Sequence, residues 1–175
     1  HLDGFREKFG DDREDYAAAL KRHYANGPRP DWPQHFVSAY ASVHAWEDWA
    51  ETWAHYLHMV DTLETAAACG VALKPVRKDM PALDAVPDPV DDEPEPFDDL
   101  MDGWFPLTYV LNNLNRGLGQ ADAYPFVIPV PAVEKLRFVH DVVQASGAKP
   151  AVARPAAKGG LARWWQKWAT SFGVL

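Results

Sequence analysis

Cysteine is almost missing from this chain. Cys69 stands alone, so no internal disulfide can staple the fold, and a reducing, cytoplasmic setting is the expectation. Long apolar runs are missing as well, and none approaches the ~18 residues that a membrane-spanning helix needs. Lys and Arg are absent from His44 to Glu64, while Asp and Glu are absent from Val142 to Leu175. The formal net charge of −8 leaves no basic field for a phosphate backbone, which excludes nucleic acid as a main partner. Neither HExxH nor any His-Glu dipeptide occurs. The Glu-x-x-His signature of di-iron helical bundles is missing too, so that kind of carboxylate site is excluded.

What is present favours a sizeable core. Hydrophobic residues make up 47% of the 175 positions, with eight Trp, and fifteen Pro imply several loops rather than one continuous bundle. The expected fold class is mainly α. One helical domain over residues 1–146 would be followed by an Ala/Pro/Gly linker at 147–160 and a segment at 161–175. That last segment, LARWWQKWATSF and beyond, sets Leu161, Trp164, Trp165, Trp168 and Phe172 on one helical side with Arg163 and Lys167 around it. It reads as a basic amphipathic helix, able to contact a membrane surface or a protein through 161–172 or to dock on its own domain.

The central stretch predicts a helix from Ser42 or His44 to about Cys69, closed by Gly70. At roughly 100° per residue, Trp46, Trp49, Trp53, Tyr56, Leu57 and Val60 form its expected core stripe. Glu47, Glu51, His58 and Thr62 line the opposite side, with His55 at the edge. Carboxylates and imidazoles without neutralising bases suit a cation site as well as they suit an exposed acidic face.

Around this helix, Leu2, Phe5 and Phe9 mark a short first helix, and Asp11 or Asp12 is the expected N-cap of a second one reaching about Ala25. Asp31 and Gln34 suit a capping box before Tyr40. The Pro-rich stretch from Lys74 onward, acidic from Asp79 to Asp102, reads as an extended or mobile loop. Phe97 to Met101 begins another helix, and Trp104 through Leu118 continues it past Pro106, with Leu107, Val110, Leu111, Leu114 and Leu118 inward. Its Asn112, Asn115 and Arg116 are candidates for gripping a substrate backbone or carboxylate. Val133 to Ala145 predicts a last helix with Leu136, Val139, Val142 and Val143 inward.

The run WEDWAETWAHYLH from Trp46 to His58, with Ser38-Ala39-Tyr40-Ala41 before it, resembles the third-ligand helix of a bacterial family of zinc-binding metallopeptidases of the gluzincin type. The similarity continues through Phe5–Tyr16, Trp104–Gln120 and Tyr124–His140 and covers about 140 residues. It implies a zincin-like C-terminal subdomain, a zinc cofactor and a peptide or protein substrate. Glu47 would be the zinc-ligating carboxylate, Glu51 a carboxylate orienting a ligating His, and Tyr40 the oxyanion donor.

The departure is the missing HExxH helix. His44-x-x-Glu47 fails as an inverted motif because Asp48 stands where it needs His, and His55-x-x-His58 lacks an adjacent general base. The expectation is therefore a C-terminal, inactive part of such an enzyme, its first two zinc ligands lying upstream of Phe5. By itself this chain would hold no zinc firmly. The alternative function is a non-catalytic helical module that binds protein or membrane through its Trp-rich surfaces.

Overall fold

A computed structural model describes residues 2–90, 95–125 and 127–147. The predicted 161–175 helix and the 147–160 linker fall outside those residues, apart from Gly147. Five helices carry the fold: α1 (Leu2–Phe9), α2 (Tyr16–Asn26), α3 (Ala45–Ala68), α4 (Phe97–Gly117) and α5 (Val130–Ala145). Two 3₁₀ turns, Trp32–Gln34 and Tyr40–Ser42, bridge α2 to α3. Among the described residues no strand forms; Leu73 and Leu83 make a single antiparallel bridge. No helix there is long and apolar enough to cross a membrane.

Local chemistry sets the ends. Asp15, not Asp11 or Asp12, caps α2 by accepting from the Ala18 N–H, while Asp11 is taken up by Arg13 and Asp12 by Arg6. The expected capping box at Asp31 does not form either, because Asp31 pairs with Arg29 instead. His44 caps α3, its Nδ1 accepting from Trp46 N–H at 3.1 Å. Gly70, at φ +67, ends α3 in the left-handed region that only glycine enters cheaply.

The core face of α3 is not the all-aromatic stripe that hydrophobicity suggests. Ala45, Asp48, Thr52, His55, Tyr56, Met59, Leu63 and Ala66 are buried, whereas Trp46 is 53% and Leu57 45% exposed. The face is rotated because its polar members have work inside. Asp48 meets Lys135 Nζ at 2.6 Å, and the Thr52 hydroxyl donates to Asp48 at 3.4 Å. Trp49 and Trp53 flank the core instead, Trp49 packing edge-on against Phe5, Phe9 and Phe138. α4 shows the same effect: Trp104, Thr108 and Asn112 are buried, while Leu114 is 61% and Leu118 77% exposed.

The described part of the Pro-rich segment before residue 91 is anchored at Val86 and Pro87. Val86 is buried in the core, and Gly103 of α4 leaves room for Pro87: a Cβ there would lie 2.4 Å from the Pro87 ring. Composition argues that this segment cannot fold by itself, but it need not, since α3 and α4 supply the apolar surface.

Lys135 ties three parts together. Besides Asp48, its ammonium donates to the His35 carbonyl at 3.0 Å and sits 4.1 Å from the Phe36 ring centroid. Asp48 is fully buried, so losing its partner strands a charge. Lys135→Met is expected to cost about 3–5 kcal/mol, while Asp48→Leu combined with Lys135→Met recovers most of it. Urea denaturation of the two variants measures this directly.

Candidate functional site

The N-terminal ends of α2 and α3 are bolted together by one histidine. With its Nδ1 accepting from Trp46, His44 must carry its proton on Nε2, which donates to the Glu14 carbonyl at 3.0 Å. This brings Tyr16, the first residue of α2, onto the first turn of α3. The Tyr16 hydroxyl donates to Glu47 Oε1 at 2.5 Å. The Tyr16 ring stacks on Trp46 (5.7 Å, 29°) and meets the His44 ring edge-on (5.4 Å, 87°).

Tyr40, in the 3₁₀ turn before α3, lies within electrostatic reach of Tyr16 and Glu47, and its ring meets His23 edge-on at 5.8 Å. The Glu47 bond, then burial, then Tyr40 push the Tyr16 phenol well above its ordinary value. Burial and the Glu47 charge push the Tyr40 phenol up in turn. Both phenols therefore keep their protons at neutral pH and are donors. One turn along α3, the Ser38 hydroxyl donates to Glu51 Oε2 at 2.9 Å and accepts from Ala41 N–H at 3.0 Å. Glu51 thus steadies the turn that carries Tyr40. Among the described residues neither Glu47 nor Glu51 enters an ion pair.

The other candidates lie elsewhere. Asn112 is buried, donating to the Tyr124 carbonyl at 2.9 Å and accepting from Ala123 N–H at 2.9 Å. Asn115 donates to the Ala121 carbonyl, and Arg116 forks onto Asp122. These groups hold the 121–124 loop; Asn112 is withdrawn from solvent by it, whereas the Arg116 side chain stays 58% exposed. Asn113, by contrast, turns back on its own helix and donates to the Tyr109 carbonyl one turn earlier.

His55 and His58 both meet the Tyr124 ring edge-on, but no third ligand joins them among the described residues. His58 is exposed, while His55 is buried edge-on to Tyr124 (4.8 Å) and Trp104 (6.0 Å). His55 Nε2 has no hydrogen-bond partner, and its ring lines a cavity of about 100 Å³ with Trp32, Phe36 and Ile128. Burial, aided by His58, pushes the His55 imidazole down to about 4. Among the described residues no three His, Cys, Asp or Glu side chains come together as a metal would require.

A family-wide sequence profile described as "Putative zinc-binding metallo-peptidase" matches residues 1–142. The chain belongs to this zinc-binding metallopeptidase family. Relatives include uncharacterized proteins of Mycobacterium tuberculosis and Mycobacterium bovis, each 47% identical over 156 residues. The alignment takes in 88% of this chain and 43% of each relative, so the chain spans less than half of their length. No solved structure matches.

The described residues do not by themselves fit a zinc ion: Glu47 is partly exposed with no Lys or Arg paired to it, but no second and third His, Cys, Asp or Glu stands beside it. Tyr16 is the site residue that the sequence concealed. At i, i+4 and i+8 with Leu20 and Tyr24 it forms an apolar edge of α2, and only the α2–α3 crossing shows its hydroxyl at Glu47.

The buried histidine gives this chain a pH signature. A folded-state value near 4 against about 6.5 when unfolded means the unfolded chain takes up the proton first. The stabilising contribution is complete above about pH 6.5 and is lost as pH falls toward 4, on the order of 3 kcal/mol in all. His140, lowered mainly by burial, adds in the same direction. Asp48, raised to about 6, acts in the opposite sense over the same range. The histidine is therefore read by difference: from pH 7 to pH 5 the melting temperature of His55→Leu should fall less, or rise more, than that of the wild type.

Proposed function

We propose that this chain contributes the third zinc ligand and the oxyanion donor of a gluzincin-type peptidase, a hydrolase cutting peptide bonds. The observation that carries the reading is the Tyr16–Tyr40–Glu47 cluster at the junction of α2 and α3. An anionic oxygen and two protonated phenols meet at one partly exposed place. Zinc, when bound, supplies the activation of a water for attack on the peptide carbonyl.

The chain's own part divides by chemistry. Glu47 offers an anionic oxygen to the metal, and the dominance of one negative charge keeps Tyr16 and Tyr40 neutral. Tyr40 can then donate a hydrogen bond to the oxygen on which negative charge develops, which a phenolate could not do. Ser38 and Glu51 hold the Tyr40 turn, so the donor is in place before the substrate arrives. Two further ligands and a general base come, in this reading, from residues outside 1–175, which makes the chain by itself an inactive part. Cys69, free and exposed, fits the reducing cytoplasm.

The protein expressed from its complete coding sequence should hold about one zinc per chain by atomic absorption. Glu47→Gln should lose most of it. Tyr40→Phe should keep the zinc and lower peptide turnover by roughly 10²–10³-fold, the usual effect of removing one oxyanion donor. Residues 1–175 alone should retain no zinc after dialysis and cleave no peptide. A complete protein that binds no zinc and still captures a protein or lipid surface would favour the non-catalytic interaction module instead.

A further inference from the structure

We infer that the Trp-rich segment 161–172 of this chain seats on the outer face of α4. It covers Val110, Leu114 and Leu118 and sets Arg163 and Lys167 toward an acidic cleft at the first turns of that helix. No metal takes part in the contact.

α4 has more apolar surface than the core uses. The spacing of Leu107, Val110, Leu111, Leu114 and Leu118 predicts a core stripe, yet the helix buries Trp104, Thr108 and Asn112 instead. Leu107, Val110 and Leu111 are left half-buried, while Leu114 is 61% and Leu118 77% exposed. A helix that is apolar well beyond its core side is one that something else covers. Toward the start of α4 lies an open cleft of about 500 Å³ lined by Asp88, Glu95, Asp99 and Asp102. At roughly 100° per residue, Asp99 and Gly103 of this cleft stand in line with Val110 and Leu114. Asp99 and Asp102 are exposed, and neither pairs with a Lys or Arg among the described residues.

The segment 161–172, outside the described residues, has the complementary chemistry in its sequence. All 25 Asp and Glu precede Val142, whereas Lys149, Arg154, Lys158, Arg163 and Lys167 follow it. Leu161, Trp164, Trp165, Trp168 and Phe172 recur at helical spacing with Arg163 and Lys167 beside them. Twelve residues at a helical rise span about 18 Å, and Leu107–Leu118 is a stripe of the same length. Reach does not limit the contact. Arg137 of α5 pairs at 2.7 Å with Asp98 at the start of α4, and residues 148–160 can extend up to roughly 43–47 Å. The whole of α4 is about 32 Å long.

The tether and the charge together select this occupant. A segment joined to its own domain meets it at a roughly millimolar effective concentration. A second copy would instead bring a second acid-rich surface to the first. An anionic membrane would attract the segment but repel the domain that carries all the acids.

The test uses the 175-residue chain and trypsin, which cuts after Arg163 and Lys167 when the segment leaves its seat. Cleavage at Arg77, whose side chain is 70% exposed, is the internal standard. Leu114→Gln and Leu118→Gln should each speed cleavage at Arg163 and Lys167 by roughly tenfold, the effect of removing one Leu side chain from a contact, and leave Arg77 unchanged. Asp99→Asn combined with Asp102→Asn should speed it by a smaller factor, and about 1 M salt should erase that difference. A benzophenone-bearing residue at position 118 should crosslink to 161–172 of the same chain, with a yield independent of protein concentration. The crosslink needs no polar substitution, so it decides the matter if a Gln variant does not melt cooperatively.

Equal cleavage at Arg163 and Lys167 in the wild type and both Gln variants overturns the assignment. So does a crosslink between two chains that grows with concentration, which would give the face to a second copy. Protection of Arg163 and Lys167 that appears only with phosphatidylserine vesicles overturns it as well, by giving the segment to a membrane.

Discussion

The Asp48–Lys135 pair is the constraint on which the rest of the molecule depends. Both charges are buried, and the ammonium is shared among Asp48, the His35 carbonyl and the Phe36 ring. Burial pushes the Asp48 carboxyl up to about 6, with Lys135 and Thr52 pulling the other way. A buried pair of this kind adds little net stability over an apolar substitute, yet it is costly to break. What it does supply is an orientation. Once Asp48 must face α5, the helical period turns Glu47, one residue earlier, away from the core and toward α2.

That rotation explains why the carboxylate is available for chemistry. A helix turned to bury every Trp would have carried Glu47 and Glu51 elsewhere and left Asp48 unpaired. Instead the aromatic side chains divide. Trp49 and Trp53 seal the flank of the core, and Trp46 is left outside to stack on Tyr16. His44 ends one helix and supports another, and by doing so places two phenols beside a carboxylate that meets no Lys or Arg among the described residues. Stability and site geometry are set by neighbouring residues of one helical turn.

The helices themselves were legible in the sequence, because amphipathic period and breakers act locally. α3 was placed within a residue or two, including its close at Gly70, and α5 was found with Leu136 and Val139 inward. The face of α3 was not legible. Asp48, Thr52 and His55 read as polar, and nothing local shows that Lys135 will arrive from 87 residues away. Asn112 was misread for a related reason: its partner is a backbone loop, which no side-chain pattern advertises. For the site, the motif resemblance singled out Tyr40 and Glu47, while the hydrogen bond on the Glu47 carboxylate comes from Tyr16. Tyr16 needed the crossing of α2 over α3, a tertiary fact. The family was recognisable because WEDWAETWAHYLH is both dense and unusual.

The account stands on Glu47 being a zinc ligand. Anomalous diffraction at the zinc edge, from crystals of the protein expressed from its complete coding sequence, reads that claim without passing through activity. The expected map places a single strong peak about 2.0–2.2 Å from a Glu47 carboxylate oxygen, the ordinary zinc–carboxylate distance, with Tyr16 still bonded to the other oxygen. A zinc peak bound by other residues, with Glu47 held only by Tyr16 and Tyr40, would contradict it.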